Sequence, residues 1–287
     1  MLKTLILTAV AMMAFAANSV FTRIALVETQ IDPIMFTAIR IATGALVLVV
    51  IVAAHKKSWT FAKAGGSWRG SLALFCYAIF FSFAYLSLGA GLGALILFAS
   101  VQITMLVWAI IKGERPGPIE IGGIVLAFGA FIYLVSPGLV APDPVGTLLM
   151  TISGISWGVY SLLGRGSINP LYDTMGNFVL ALPMAIIIVV GSMLIADIWP
   201  VDLKGVLFAT LSGALASGIG YAIWYAVLPR LARTSAGVVQ LTVPAIAAAG
   251  GILLLGEQLS LRFIVASTLI LTGVAVATIF KRKPAQI

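Results

Sequence analysis

The stretch "LLLGEQLS", Leu253 to Ser260, places one glutamate at the end of a long run of Ala, Gly, Ile and Leu. "AIIKGERPG", Ala109 to Gly117, does the same half a chain earlier. Carboxylates are rare in this sequence: nine Asp and Glu occur in 287 residues, 9% of residues are charged, and 61% are hydrophobic. The mean hydropathy is +1.15. A soluble domain carries roughly 25% charged residues. So little charge cannot cover a soluble surface of this size, and the chain reads as an integral membrane protein. Each Gly-Glu pair then marks the end of a membrane segment.

A bilayer-spanning helix needs ~20 apolar residues. Apolar runs fall near 4–23, 35–54, 70–88, 92–111, 119–137, 146–164, 175–196, 205–227, 235–255 and 262–280. They predict an all-α polytopic membrane protein of ten transmembrane helices joined by short loops. Barrel strands are shorter and alternate in polarity, which these runs do not. "LSLGAGLGA", Leu86 to Ala94, carries no charge, and its glycines predict a tight turn between helices three and four. Lys3, the apolar stretch after it and Ala14-Phe15-Ala16 imitate a secretion signal. A counterpart in the second half makes this segment the first spanning helix instead.

Basic residues set the orientation. With the N-terminus in the cytoplasm, the inner side receives Lys3, Lys56, Lys57, Lys63, Arg69, Lys112, Arg115, Arg165, Arg230, Arg233, Lys281, Arg282 and Lys283. The outer side receives Arg23, Arg40, Lys204 and Arg262, a split of 13 against 4 among the 17 Lys and Arg. An even number of helices keeps both basic termini inside. The net charge of +8 is therefore a sorting signal in a membrane, and no nucleic-acid partner is expected. The expected setting is the lipid bilayer of a bacterial inner (plasma) membrane, with both termini cytoplasmic.

The two halves repeat. "FTR", Phe21 to Arg23, ends helix one, and "LGR", Leu163 to Arg165, ends helix six, 142 residues later. Glu114 follows helix four and Glu257 follows helix nine, 143 residues later. The expected division is residues 1–140 with helices one to five and residues 141–287 with helices six to ten. Five is odd, so the second repeat enters the membrane from the opposite side. Inverted repeats are a mark of secondary transporters, whose substrate sites lie near the midplane between the halves.

The segment "YAVLPRLARTSAGVVQLTVPAIAAAGGILLLGEQLSLRFIVASTLILTGVAVAT", Tyr225 to Thr278, resembles the C-terminal half of an EamA-type transporter. The features are Tyr225 ahead of a basic turn, Pro244 in helix nine, Gly256-Glu257 and Gly273 in the last helix. The first half carries a weaker copy ending in Lys112-Gly113-Glu114-Arg115, and Gln102 stands near the place of the expected proline. The resemblance spans nearly the whole chain and implies the drug/metabolite transporter superfamily. The length and ten-helix plan are similar to those of amino-acid exporters, the YddG-like aromatic amino acid exporters among them.

No apolar run holds a central Asp, Glu, Lys or His. Arg40 alone lies inside one, about one turn from its outer end, where a long side chain snorkels to the interface. A neutral, zwitterionic or amphipathic solute then fits better than a highly charged one. Polar and aromatic residues are left to recognise it. Tyr77, Phe81 and Tyr85 recur every four residues in helix three. Ser217, Tyr221 and Tyr225 do so in helix eight, with Trp224 adjacent, 140 residues on. These stripes either line a cavity, where aromatic faces and hydroxyls bind a solute, or pack against helices and lipid. Gln102 shares a face with Phe98, and Gln240 with Pro244. An amide in a bilayer needs a partner, which is another helix or a substrate. Pro244 removes a backbone hydrogen bond and marks a hinge or a static kink. Asn18, Trp157 and Tyr160 complete the candidates. The small residues Ser212, Ala216 and Gly220, and Gly273 with Ala277, predict close helix packing.

Other chemistries find little footing. Cys76 and His55 are each single, so neither a metal cluster nor a histidine triad is expected, and no cofactor is implied. Gly154-Ile155-Ser156-Trp157-Gly158 matches a nucleophile elbow, yet that motif needs a strand-to-helix turn and a histidine base. Gly89-Ala90-Gly91-Leu92-Gly93 lacks the strand–turn–helix context of a dinucleotide site. No phosphate-binding loop occurs, so no ATPase subunit is implied. The expected function is secondary active export of a small-molecule substrate, amino acids including aromatic and apolar ones, by alternating access through a central cavity. Broad drug efflux and nucleotide-sugar or phosphate-ester exchange are the alternatives, with an intramembrane enzyme or a channel behind them.

Overall fold

The computed structural model describes residues 2–55, 65–113, 116–136, 141–165, 167–195, 201–231 and 239–280. Among them run α1 (Leu2–Glu28), α2 (Pro33–His55), α3 (Trp68–Ala84), α4 (Ala90–Ile111), α5 (Pro118–Val135), α6 (Pro144–Leu163), α7 (Pro170–Met193), α8 (Leu203–Arg230), α9 (Thr242–Leu255) and α10 (Leu261–Ile279). Eight are long and apolar enough to cross a membrane, and α3 and α9 are shorter apolar helices. Each matches one apolar run of the sequence. Glu114, Arg115, Arg233 and the basic residues at 56, 57, 63 and 281–283 lie outside the described residues.

Helices start where a side chain can take an unpaired backbone N–H. Ser67 accepts from Gly70 N at 3.0 Å, Asp143 from Gly146 N at 2.6 Å, and Ser260 from Phe263 N at 3.1 Å. The Gly-Glu pairs are stops of a defined kind. Gly113 and Gly256, just past the ends of α4 and α9, have φ of +89° and +65°. A side chain disfavours that left-handed backbone, and glycine supplies it at little cost.

Glu257 does more than follow a stop. Its carboxylate accepts from Ala90 N at 2.9 and 3.0 Å, where the capping residue Gly89 has no side chain to offer. Arg23 pairs with it at 3.3 Å and donates through Nη1 to the carbonyls of Tyr85, at 2.7 Å, and Leu86, at 3.0 Å. One carboxylate thus ties the end of α1, the α3–α4 turn and the end of α9 together. The helix it caps is α4, not α10, the next in the chain.

The packing has an internal symmetry. α1 contacts α8 and α9 as α6 contacts α3 and α4; α2 contacts α8 as α7 contacts α3. α2–α7, α4–α9 and α5–α10 are self-paired. Adding five to a helix number, cyclically, maps every one of these pairs onto another or itself. That is the pattern of two five-helix repeats related by a twofold axis.

Glycines make the close crossings. A Cβ on Gly123 of α5 would meet the Gly273 carbonyl of α10 at 2.6 Å, and the reverse holds. Gly91 is not in a turn: it lies in α4, where a Cβ would come within 2.7 Å of Ala248 Cα in α9. Only Gly89 of that glycine run precedes the helix. In α6, Gly154 and Gly158 abut Ser100 and Thr104 of α4, and the Ser156 hydroxyl between them donates to the Ile152 carbonyl of its own helix. The apparent nucleophile elbow is a helix-packing stripe.

Two predictions follow from this packing. Gly273→Leu forces α5 and α10 apart and lowers stability by on the order of 1–3 kcal/mol, read as a lower thermal midpoint of the detergent-purified protein. Glu257→Ala leaves Ala90 N and Arg23 Nε without their acceptor and costs about 1–3 kcal/mol. Glu257→Gln, which keeps an acceptor oxygen, loses less in the same melt.

Candidate functional site

Arg40 is the one fully buried cation among the described residues, at 2% exposure. The sequence reading had it snorkelling to the interface, and the structure overturns that. α2 begins at Pro33, so Arg40 stands two turns inside the helix. Its face also carries buried Thr37 and the close-packed Gly44, and turns toward the bundle. Its guanidinium brings one positive charge into that interior. Removing such an ion from water costs several kcal/mol unless partners replace the water.

The partners present are neutral. Nη2 donates to the Tyr77 hydroxyl at 2.7 Å, and Nε donates to Ser217 Oγ at 3.4 Å. The guanidinium carbon lies 5.0 Å from the Tyr77 ring centroid and 4.9 Å from that of Phe81, within cation–π range. Asn18 Nδ2 also donates to the Tyr77 hydroxyl, at 3.1 Å, and Asn18 Oδ1 accepts from Ser212 Oγ at 2.6 Å. Arg40 Nη1 is buried with no hydrogen-bond partner.

The two serines reach this network because α8 changes winding. Leu211–Ile219 is a π-helix, flanked by α-helix on both sides. Its i→i+5 bonding sets residues five apart over one another, and Ser212 and Ser217 are five apart. The sequence reading took Ser212 as a packing residue in a four-residue stripe. The π-turns instead aim it at Asn18. Tyr221 and Trp224 follow in the α-helical part Gly220–Val227, both buried.

Around Arg40 the aromatic rings stack on one another. Trp157 lies 4.8 Å from Tyr77, 5.3 Å from Tyr221 and 5.1 Å from Tyr160, nearly parallel to the last two. Phe15 and Phe178 edge onto Tyr221, and Phe15 also meets Trp224 at 5.9 Å. The depression lined by Val27, Glu28, Asp202 and Leu203 lies elsewhere, where α1 ends and α8 begins.

The sequence candidates therefore divide. Asn18, Tyr77, Phe81, Trp157, Tyr160, Tyr221 and Trp224 come together, and the stripe on α3 is buried rather than lipid-facing. Tyr225 is half-buried beside Tyr160 and Thr174. Tyr85 belongs to the Glu257 knot, with its hydroxyl 3.3 Å from the Ala90 carbonyl. Phe98 is core, and Gln102 and Gln240 are half-buried without a side-chain hydrogen bond among the described residues. Pro244 falls in the first turn of α9, where its missing N–H breaks no helix, and the chain turns at Leu241 just before it. It stands in the first turn of a helix rather than inside a continuous one. α4, with Gln102 in place of proline, runs unbroken.

Sequence reasoning missed Arg40, Phe15, Phe178 and the polar role of Ser212. Thr37, Arg40 and Gly44 at helical spacing were the available sign of an inward face. With Arg40 inside, a helix interior does hold a cation that an anionic group could meet. One monovalent guanidinium still does not balance a doubly charged phosphate ester.

The family model for EamA-like transporters matches residues 2–136 and again 144–279. An uncharacterized Pseudomonas aeruginosa protein is 46% identical across 95% of this chain and 93% of its own length. An uncharacterized transporter of Archaeoglobus fulgidus is 25% identical across 96% and 97%. A probable amino-acid metabolite efflux pump of Escherichia coli is 25% identical across 69% and 70%. A solved crystal structure superposes with a TM-score of 0.64 at 20% identity, covering 96% of this chain and 98% of that one, which speaks for the fold alone. The chain belongs to the EamA-like transporter family, and it is a multi-pass membrane transporter of two family repeats.

Proposed function

We propose that the protein exports small metabolites, foremost amino acids with aromatic or apolar side chains, by secondary active transport. The observation that carries this reading is the cluster around Arg40, where a buried cation and a stack of aromatic rings meet between the two repeats. Arg40, Tyr77 and Phe81 come from the first repeat, and Trp157, Tyr221 and Ser217 from the second. A zwitterion with a flat apolar side chain finds there a guanidinium for its carboxylate and rings for its body. The contacts between the repeats, Arg40 with Ser217 and Tyr77 with Trp157, are those that must part for the site to open.

In alternating access the repeats rock about this cluster and expose it to one side at a time. The efflux-pump description of the Escherichia coli relative supports export of amino-acid metabolites. The 13-to-4 sorting of basic residues supports cytoplasmic termini in an inner membrane. No second reading is favoured by a specific observation.

Counterflow in proteoliposomes, run with a panel of amino acids with and without a pH gradient, tests substrate and coupling together. Trp157→Ala lowers counterflow of phenylalanine roughly tenfold, as expected for losing a stacked ring. Gln102→Ala and Gln240→Ala also lower it while leaving yield and monodispersity unchanged. Normal counterflow in both glutamine variants removes those residues from the site, and no saturable flux of any amino acid refutes the proposed substrate.

A further inference from the structure

We infer that this site recognises its occupant through a single carboxylate, and that an ammonium on the occupant is dispensable. The inference rests on reading the Arg40 cluster as the substrate site. Monocarboxylates with a planar apolar body, not only amino acids, are then its ligands.

The argument is one of charge and hydrogen bonds. Arg40 brings one positive charge into a nearly dry environment, and its visible partners are a phenol, a serine hydroxyl and two ring faces. None of these carries a compensating negative charge. Its Nη1 has no acceptor at all. The Tyr77 hydroxyl already accepts from Arg40 and Asn18, so its own proton is left for a further acceptor. What the cluster lacks is an anionic acceptor. A carboxylate matches the planar fork of a guanidinium and restores neutrality with one charge.

No carboxylate is hydrogen-bonded within the cluster to receive an ammonium as Arg40 receives a carboxylate. An amine needs acceptors, and a desolvated one needs a carboxylate. Among the described acids, Glu257 is engaged by Arg23 and Ala90 N, and Glu28 by Lys204. Asp32, Asp143 and Asp202 cap their own helices, at Ile34 N, Gly146 N and Lys204 N. Asp173 accepts from Gly66 N and from the Ser167 hydroxyl. Glu120 accepts from Gly117 N at the start of α5. None is bonded to the Arg40 cluster. The rings of Tyr160, Trp157 and Tyr221 offer aromatic faces and edges to a flat apolar body.

Binding to the full-length protein in detergent, followed by intrinsic tryptophan fluorescence, tests this with three probes of one shape. 3-Phenylpropionate carries only the carboxylate, phenethylamine only the ammonium, and phenylalanine both. The expected result is that 3-phenylpropionate and phenylalanine bind within a few-fold of each other and phenethylamine at least tenfold more weakly. Arg40→Gln should weaken both carboxylates roughly tenfold or more and leave phenethylamine unchanged. Comparable affinities of all three probes for the unaltered protein overturn the inference without any variant. Binding of phenethylamine and phenylalanine but not of 3-phenylpropionate also overturns it and leaves the cluster as an amino-acid site. Absence of binding by every probe overturns the inference and the site reading together.

Discussion

A hydrocarbon interior offers no water to a hydrogen-bonding group, and the rest of this structure follows from that constraint. It forces the chain into helices that satisfy their own backbone. It also explains why hydroxyls in the spans turn back on their own helices, as Thr22 does on Asn18 O and Ser100 on Ile96 O. Where a helix must begin near the apolar layer, an acceptor is brought to it. α6 and α10 carry their own, in Asp143 and Ser260, but α4 begins at Gly89 and borrows Glu257 from the end of α9. The loan also holds Arg23, so a single requirement for hydrogen bonds joins three helix ends. Against that background a guanidinium nitrogen without an acceptor stands out as the one buried charged donor among the described residues left unserved.

The ten spans were legible in composition because apolar length is a direct measure of membrane crossing. The repeat was legible because the same stop, glycine and then glutamate, is written at the ends of α4 and α9. The positive φ at Gly113 and Gly256 gives that spelling its physical reason. The partner of Glu257 was not legible. Ala90 is 167 residues away in the chain, and nothing local announces a cap supplied from elsewhere.

Other features were hidden for different reasons. Arg40 was visible as a charge, but a run of apolar letters does not say which way a side chain points. Counting from the start of the apolar run at 35 placed it about one turn from an end; the helix start at Pro33 places it two turns inside. The π-helical stretch was invisible, since Leu211–Ile219 reads as an ordinary small-residue helix. Its consequence is nevertheless specific: four-residue spacing failed for Ser212 and five-residue spacing works. Tyr77 and Phe81, like Tyr221 and Trp224, meet as helical spacing implies because they lie on stretches of undisturbed α-helix, whereas Tyr85 and Tyr225 fall outside the cluster.

The two repeats share a packing pattern but not a charge. α2 and α7 occupy equivalent places, yet α7 carries neither Lys nor Arg. The cation therefore travels with the first repeat. Tyr77 and Phe81, its closest ring contacts, travel with it, whereas Trp157, Tyr160 and Tyr221 belong to the second. An occupant held by its carboxylate on one side and its ring on the other spans both repeats. In the proposed cycle, separation of the empty repeats strips Arg40 of Ser217 and exposes a guanidinium that already lacks one partner. A bound carboxylate supplies what separation removes. Loading would then favour movement of the repeats as a pair, which is the energetic difference between states that any transporter needs from its substrate.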